Sequence, residues 1–261
     1  MNLQTELIQN KDWDILIILD ACRYDAFKHY CWDYLGEGWL RKLTSPSSWT
    51  GGWLQRTFNK SDMKDTIYIS ANPYVNSKDV ITPFKGKKIF KRIVDVWDGG
   101  FGNLRCYLVP EEVTKCAFVT MDLNRKSKFI IHYMQPHVPY YIYNDIKQNG
   151  KKNVLRDFTQ RILGEDIIWT IAEKLNFPAK DYMEIIRREE GDDGIVYGYE
   201  TNLMNVLESV RKLIDKYPNK KIVVTADHGE RLGENGRYGH GGIRDKIVST
   251  IPWFEVNNES S

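Results

Sequence analysis

The sequence has no excess of charge of one sign. Its 261 residues include 37 Lys and Arg against 35 Asp and Glu, which leaves a formal net charge of +2. Proteins that bind nucleic acid mainly through its phosphates carry a clear excess of basic groups. The balance therefore argues against nucleic-acid binding as the main function, and we expect no nucleic-acid partner.

Long apolar runs are also missing. The longest, residues 15–19, is far shorter than the about 20 apolar residues that a membrane-spanning helix needs. Residues 1–14 are polar and of mixed charge, without the apolar segment of a signal peptide. The sequence thus predicts no membrane span and no export signal, and we expect a cytoplasmic protein.

Cysteine is scarce and irregularly spaced. The four cysteines, at positions 22, 31, 106 and 116, form no CxxC pair, so the spacing indicates neither a zinc ribbon nor a thioredoxin-type redox motif. Without an export signal, reduced thiols are the default. The chain length suits one large α/β domain or two small ones.

Strands and helices are predicted to alternate along the chain. Apolar and β-branched runs predict strands at 14–20, 66–70, 128–133 and 221–226, with a weaker one at 93–97. Helices are predicted at 111–123, 153–175, 179–188 and 197–216, and the polar segment 143–152 is predicted to be an exposed loop or a lid. This alternation predicts an α/β fold with a mostly parallel sheet covered on both faces.

Two of the predicted strands end in acidic residues. Residues 15–19 lead into Asp20, and the strand at 221–226 leads into Asp227 and His228. Because the carboxyl ends of parallel strands meet at one edge of a sheet, these side chains could lie together. Carboxylates and imidazoles are ligands of divalent metals. The alternative is that the aspartates cap helices and that His228 is incidental.

Segment 44–54 combines hydroxyl side chains with glycines, and a helix is predicted to start near Thr50. A hydroxyl at a helix N-terminus lies in a positive field beside free backbone N–H groups. Such a site favours an anionic substrate and an ionised hydroxyl, and a metal on the same oxygen would favour it further. The alternative is a Ser/Pro/Gly loop that only caps the helix.

Three further histidines differ in their setting. His137 lies between prolines just after a strand, so it could donate to an anionic oxygen or protonate a leaving group. His240 lies in the glycine-rich segment 233–242, which is either a mobile surface loop or a loop folded over the metal; no strand directly precedes it, so a dinucleotide site is not expected. His132, inside a predicted strand, is expected to be a core residue.

Four blocks, in this order, resemble the sulfatase-like branch of the alkaline phosphatase superfamily. They are Leu-Asp-Ala-Cys-Arg-Tyr-Asp-Ala-Phe, Ser-Pro-Ser-Ser-Trp-Thr, His-Tyr-Met-Gln-Pro-His-Val-Pro-Tyr, and Thr-Ala-Asp-His-Gly-Glu followed by Leu-Gly-Glu-Asn-Gly. The resemblance covers residues 15–254, nearly the whole chain. It implies one domain, residues 1–261, folded as a three-layer α/β/α sandwich around a large, mostly parallel sheet.

The resemblance also implies roles for individual residues. Asp20, Thr50, Asp227 and His228 would hold a divalent cation, Mn²⁺ or Zn²⁺, with Thr50 as the nucleophile. By similarity, the other catalytic residues would be His137, which contacts the anionic group of the substrate, and His240, which serves the substrate or a second metal. No Asp-x-x-x-His motif supports a second cation, so the sequence favours one and leaves the other open.

The implied function is a metal-dependent hydrolase of phosphate diesters or monoesters that forms a phosphothreonine intermediate. Three alternatives remain. Sulfate-ester hydrolysis is disfavoured because segment 45–50 lacks the Arg of the formylglycine motif and Asp20 is followed by Ala. Phospho-group transfer to a glycan or lipid acceptor and a non-catalytic binding module complete the set. The expected partner is a small-molecule or glycan- or lipid-linked anionic ester, and the oligomeric state is not predicted.

Overall fold

The computed structural model describes residues 2–10, 12–59, 61–79, 82–98, 109–140 and 179–257. The helix predicted at 153–175 and the lid predicted at 143–152 lie outside the described residues. Cys106 lies outside them too, whereas Cys22, Cys31 and Cys116 are buried free thiols.

Nine strands are described. They are β1 (Ile15–Asp20), β2 (Gly38–Thr44), β3 (Met63–Ser70), β4 (Phe90–Asp95), β5 (Lys128–Pro136), β6 (Ile222–Ala226), β7 (Arg231–Leu232), β8 (Tyr238–Gly239) and β9 (Thr250–Val256). Seven form one sheet in the order β2-β9-β6-β1-β5-β3-β4, and β7 and β8 form a separate hairpin. In the large sheet β9 alone runs against its neighbours, so the sheet is mostly parallel, as predicted.

Seven α-helices are described in the same ranges. They are α1 (Leu3–Asn10), α2 (Tyr24–Leu35), α3 (Thr50–Phe58), α4 (Gly86–Ile89), α5 (Pro110–Leu123), α6 (Ala179–Lys216) and α7 (Lys246–Ser249). Gly191 in α6 has a φ of 74° and divides it into two helical segments. These segments confirm the helices predicted at 179–188 and 197–216.

Adjacent residues of β5 show that helices cover both faces of the sheet. The ring of His132 packs on Trp53 of α3, with 6.3 Å between centroids. The hydroxyl of Tyr133 lies 2.7 Å from Thr114 Oγ1 of α5. Successive side chains of a strand point to opposite faces, so α3 and α5 lie on opposite sides. The predicted three-layer α/β/α architecture is therefore confirmed.

Strands β2 and β9 were not predicted from the sequence. Strand β2 is at the edge of the sheet and exposes Arg41 and Lys42, so it lacks the apolar run of a buried strand; charges of this kind protect exposed edges. Strand β9 contains Pro252, a residue that argues against a strand inside a sheet. Both strands pair through backbone hydrogen bonds, which their side-chain patterns do not predict.

The position of β1 at the centre of the sheet explains why its sequence is continuously apolar. All of its residues are buried, and it pairs in parallel with β5 on one side and β6 on the other, so that Ile17 lies opposite Ile131 and Val224. A parallel strand covered on both faces needs apolar side chains in both directions. This strand carries Asp20 to the edge of the sheet.

Replacing Leu16 in β1 by Ala should lower the free energy of unfolding by about 2–5 kcal/mol, because Leu16 is fully buried and the deletion leaves a cavity. Leu123→Ala, at a side chain that is 78% exposed, is the matched control and should change it by less than about 0.5 kcal/mol. Urea denaturation followed by circular dichroism measures both. Equal losses would contradict the central position of β1.

Candidate active site

The carboxyl ends of the parallel strands bring the predicted site residues to one edge of the sheet. Asp20 is the last residue of β1, Asp227 and His228 directly follow β6, and His137 follows β5. The backbone N–H of His137 donates to the carbonyl oxygen of Asp20 at 3.2 Å. Strands that end together thus deliver two carboxylates and two imidazoles to one place.

The segment that connects β2 to α3 brings Thr50 to the same place. It is the first residue of α3, and the preceding segment is fixed where the hydroxyl of Ser45 donates to the backbone carbonyl oxygen of Asp227. Thr50 Oγ1 lies 3.4 Å from His228 Nε2. The N-cap of α3, Trp49, makes no side-chain capping bond, so the positive N-terminus of the helix is left for an anion.

Each carboxylate is held by one oxygen while the other faces His228. Asp227 Oδ1 accepts the backbone N–H of His228 at 2.9 Å and that of Ala21 at 3.1 Å. Asp20 Oδ2 accepts Asn72 Nδ2 at 2.5 Å. The remaining oxygens, Asp20 Oδ1 and Asp227 Oδ2, lie 3.6 Å and 3.4 Å from His228 Nε2. Both are buried, and neither has a hydrogen-bond partner within the part of the chain that the structure describes.

These atoms fit a divalent cation. Metal bonds from oxygen and nitrogen ligands are about 2.0–2.2 Å long, so ligands of one ion lie at separations like those between His228 Nε2, the two carboxylate oxygens and the Thr50 hydroxyl. Burial raises the pKa of Asp20 well above its ordinary value, and the charge of Asp227 raises it further. A cation would relieve both effects and satisfy the unpaired oxygens.

A second cluster lies next to the first. His137, Glu230 and His240 each place a potential ligand atom within 4.8 Å of the others. The His240 ring lies 4.3 Å from that of His228, measured between centroids. Burial raises the pKa of Glu230 to about 7 and lowers the pKa values of His137 and His240 to about 4. The cluster can therefore offer neutral imidazoles to a second cation or to the substrate.

The glycine-rich segment folds over this cluster. Gly241 donates its backbone N–H to the carbonyl oxygen of Ser48 at 2.9 Å. Arg231 bonds the carbonyl oxygen of Gly239 at 3.2 Å and Asp245 Oδ2 at 2.8 Å. Of the two sequence interpretations, the structure supports the folded loop, which brings His240 to the site.

Sequence reasoning missed two residues of the site. Glu230 is fully buried and accepts from His240 Nδ1 at 3.0 Å. Asn72 lies just beyond β3, and its Oδ1 accepts the backbone N–H of Tyr74 at 2.8 Å, which turns Nδ2 towards Asp20. The rule that identified Asp20 and Asp227, a polar residue directly after a strand, also applies to Asn72.

His132 is the buried core residue that the sequence predicts, and it also borders the site. Tyr68 Oη lies 2.8 Å from His132 Nδ1. The Nε2 of His132 has no hydrogen-bond partner in the described ranges and lies 3.9 Å from Asp20 Oδ2. His132 also forms a possible metal-holding group with Asp20 and Asp227. The structure therefore gives His132 a polar side towards the site.

The alternative interpretation of Asp20 as a helix cap is wrong. Helix α2 begins at Tyr24 with Arg23 as its N-cap. Between them, Ala21 has a φ of 60°, a left-handed conformation that costs an alanine about 1–2 kcal/mol. Tyr199 holds the turn by donating to the Ala21 carbonyl oxygen at 2.8 Å and accepting the Arg23 N–H at 2.9 Å. The turn after β1 thus orients ligands instead of starting a helix.

Comparison with known proteins gives similar structures but no sequence family. No protein-family model and no curated protein matches the chain. The soluble domain of lipooligosaccharide phosphoethanolamine transferase A from Neisseria meningitidis matches with a TM-score of 0.54 and 15% identity over 92% of this chain and 75% of that one. The phosphonate monoester hydrolase of Agrobacterium radiobacter matches with a TM-score of 0.57 and 13% identity over 94% and 68%.

A third neighbour was solved with a metal. The C-terminal periplasmic domain of EcEptC from Escherichia coli, in complex with Zn, matches with a TM-score of 0.54 and 14% identity over 94% of this chain and 72% of that one. The structural neighbours are sulfatase-like members of the alkaline phosphatase superfamily, so the fold that the sequence resemblance implied is confirmed. Within the described ranges, no helix has the length and apolar character that crossing a bilayer requires.

Asp20→Asn and Asp227→Asn should each lower the amount of divalent metal that the purified protein retains, because each removes one charged oxygen of the candidate metal centre. Inductively coupled plasma mass spectrometry after dialysis against Zn²⁺ or Mn²⁺ and then buffer measures the metal. Asp215→Asn, at an exposed position of α6, is the control. Unchanged metal content in both site variants would contradict the ligand assignment.

Asn72→Ala should weaken metal binding about 10–100-fold, the usual effect of losing a group that orients a ligand. The amide of Asn72 holds Asp20 Oδ2 and so turns Oδ1 towards His228. Competition with a chromogenic chelator measures the dissociation constant, and Asn59→Ala, at the exposed end of α3, is the matched control. Equal dissociation constants for Asn72→Ala and the control would show that Asp20 is oriented without Asn72.

Proposed function

We propose that the chain is a metal-dependent enzyme that cleaves a phosphate ester, a diester or a monoester, with Thr50 as nucleophile. One observation carries the proposal: Thr50 Oγ1 lies 3.4 Å from His228 Nε2, close to two buried carboxylate oxygens that have no hydrogen-bond partner among the described residues. A hydroxyl, two carboxylates and an imidazole that converge at a helix N-terminus suit displacement at an anionic centre.

In the first step, Thr50 Oγ bonds to phosphorus and its hydroxyl proton passes to solvent, while the bond from phosphorus to the leaving-group oxygen breaks and that oxygen takes up a proton from solvent. The free N–H groups at the start of α3 donate to the phosphoryl oxygens. A divalent cation held by Asp20, Asp227, His228 and Thr50 would lower the pKa of the hydroxyl and neutralise the phosphoryl charge. The product of this step is a phosphothreonine.

In the second step, water attacks the phosphothreonine, the bond from phosphorus to Thr50 Oγ breaks, and Thr50 regains a proton. His240 is the base that we assign to this water. Its Nδ1 faces Glu230 at 3.0 Å, which places the proton on Nδ1 and leaves Nε2 to accept another. His137 has the same arrangement, with Nδ1 donating to the carbonyl oxygen of Val138. Its Nε2 is therefore an acceptor for the O–H of the departing alcohol or of the arriving water.

Transfer to another acceptor is the second candidate, because an alcohol can replace water in the second step without any change in the site. The neighbour from N. meningitidis, named a transferase, supports it. Sulfate-ester cleavage has less support, since segment 45–50 lacks the Arg of the formylglycine motif. The cytoplasmic location and an anionic ester as partner remain predictions.

Thr50→Ala should abolish turnover of 4-nitrophenyl phosphate and bis(4-nitrophenyl) phosphate while most of the bound metal is kept, because three ligands remain. Thr50→Ser keeps a hydroxyl and should retain measurable activity. Release of nitrophenolate, read together with metal content, tests this, and Thr201→Ala in α6 is the control. Wild-type activity in Thr50→Ala would remove Thr50 as the nucleophile.

The same assay separates the alternatives. Faster release from 4-nitrophenyl sulfate than from the phosphates would favour the sulfatase alternative. A phosphorylated alcohol, detected by mass spectrometry when glycerol or a sugar is added, would favour the transferase.

A further inference from the structure

Trp49 occupies a position that helix capping does not explain. It immediately precedes the proposed nucleophile Thr50 and is the N-cap of α3, with φ −165°, ψ 153° and no side-chain capping bond. N-caps favour Ser, Thr, Asp and Asn, whose side-chain oxygens accept from the first turn, and an N-cap without such an oxygen weakens the helix. A tryptophan at this point calls for another role.

The two glycines that follow make room for the indole. A Cβ atom on Gly51 would lie 2.2 Å from Trp49 Cζ3, and one on Gly52 would lie 2.7 Å from Trp49 Nε1. Successive glycines weaken a helix, but no larger residue fits beneath the ring. The indole is therefore packed against the first turn of α3, and its orientation is fixed.

Trp49 nevertheless remains partly accessible to solvent. Trp49 is 41% exposed, and its ring meets that of Tyr74 edge to face, with 6.1 Å between centroids and 78° between planes. Tyr74 in turn donates its backbone N–H to Asn72, which holds Asp20. Trp49 is thus connected to the candidate site directly through Thr50, which follows it in the chain, and indirectly through Tyr74 and Asn72.

We propose that the exposed face of Trp49 is a stacking surface for a ring carried by the phosphate ester. This rests on the proposed function and deepens it by naming the substrate class: esters whose substituent is a ring with a flat apolar face. Aromatic rings and the faces of sugar rings have this chemistry, whereas a short alkyl group lacks it. An indole already fixed by Gly51 and Gly52 loses little freedom when a ring stacks on it, which favours binding.

Phosphonates test this without turnover, because displacement at an ester oxygen does not break their P–C bond. Titration calorimetry of the Zn²⁺-loaded protein compares phenylphosphonate, a glucosyl phosphonate and methylphosphonate. At least one of the two ring ligands should bind about tenfold more tightly than methylphosphonate, and which one does so identifies the ring. The advantage should nearly vanish in Trp49→Ala and persist in part in Trp49→Phe.

The affinity for methylphosphonate shows whether each variant keeps a working anion site, and the ring advantage is the ratio of the two affinities measured in the same variant. Trp39→Ala, at a 74% exposed tryptophan of β2, is the matched control and should keep the full ring advantage. Equal affinities of the wild type for all three phosphonates, no binding of any, or an undiminished advantage in Trp49→Ala would overturn the inference. A ring advantage without hydrolysis of the matching phosphate esters would instead contradict the proposed function and leave the stacking surface in place.

Discussion

The burial of two carboxylates at one point is the constraint on which the rest of the structure depends. Asp20 and Asp227 are both buried, and each has one oxygen that no described residue hydrogen-bonds. Buried charges of the same sign repel each other and disfavour folding unless a counter-charge is supplied. A cation held between them would supply that counter-charge, and the fold brings the two carboxylates together from separate parts of the chain.

Neutral hydrogen-bond donors orient these carboxylates without cancelling their charge. Asn72 and the backbone N–H of Ala21 each occupy one carboxylate oxygen, and neither brings a positive side chain to the pair. An Arg or Lys at either place would neutralise the carboxylate and compete with a metal. Amide donors instead leave the negative charge available to a metal. The backbone of Ala21, which donates one of these bonds, is held in a strained conformation by Tyr199.

The part of the site that the sequence predicts is the part that follows buried strands. Asp20, Asp227 and His228 stand where an apolar run stops, and the strand periodicity alone places them at one edge. Glu230 was not identified because no sequence pattern indicates that its side chain is buried. Its burial depends on the loop that Arg231 and Gly241 hold through bonds to residues distant in the sequence. Strands β2 and β9 were missed for a related reason. They pair through backbone hydrogen bonds, and their side chains, charged in β2 and including a proline in β9, do not show a strand pattern.

The bond from Gly241 to Ser48 couples the two halves of the site. One half contains the hydroxyl of Thr50 at the start of α3, and the other contains His240 on the loop after β8. Because Ser48 lies two residues before Thr50, this bond ties the loop that carries His240 to the start of α3. Precise placement of reacting groups accounts for much of enzymatic rate enhancement. Trp49 belongs to the same segment, so one short stretch of chain positions the Thr50 hydroxyl, the His240 imidazole and the partly exposed indole.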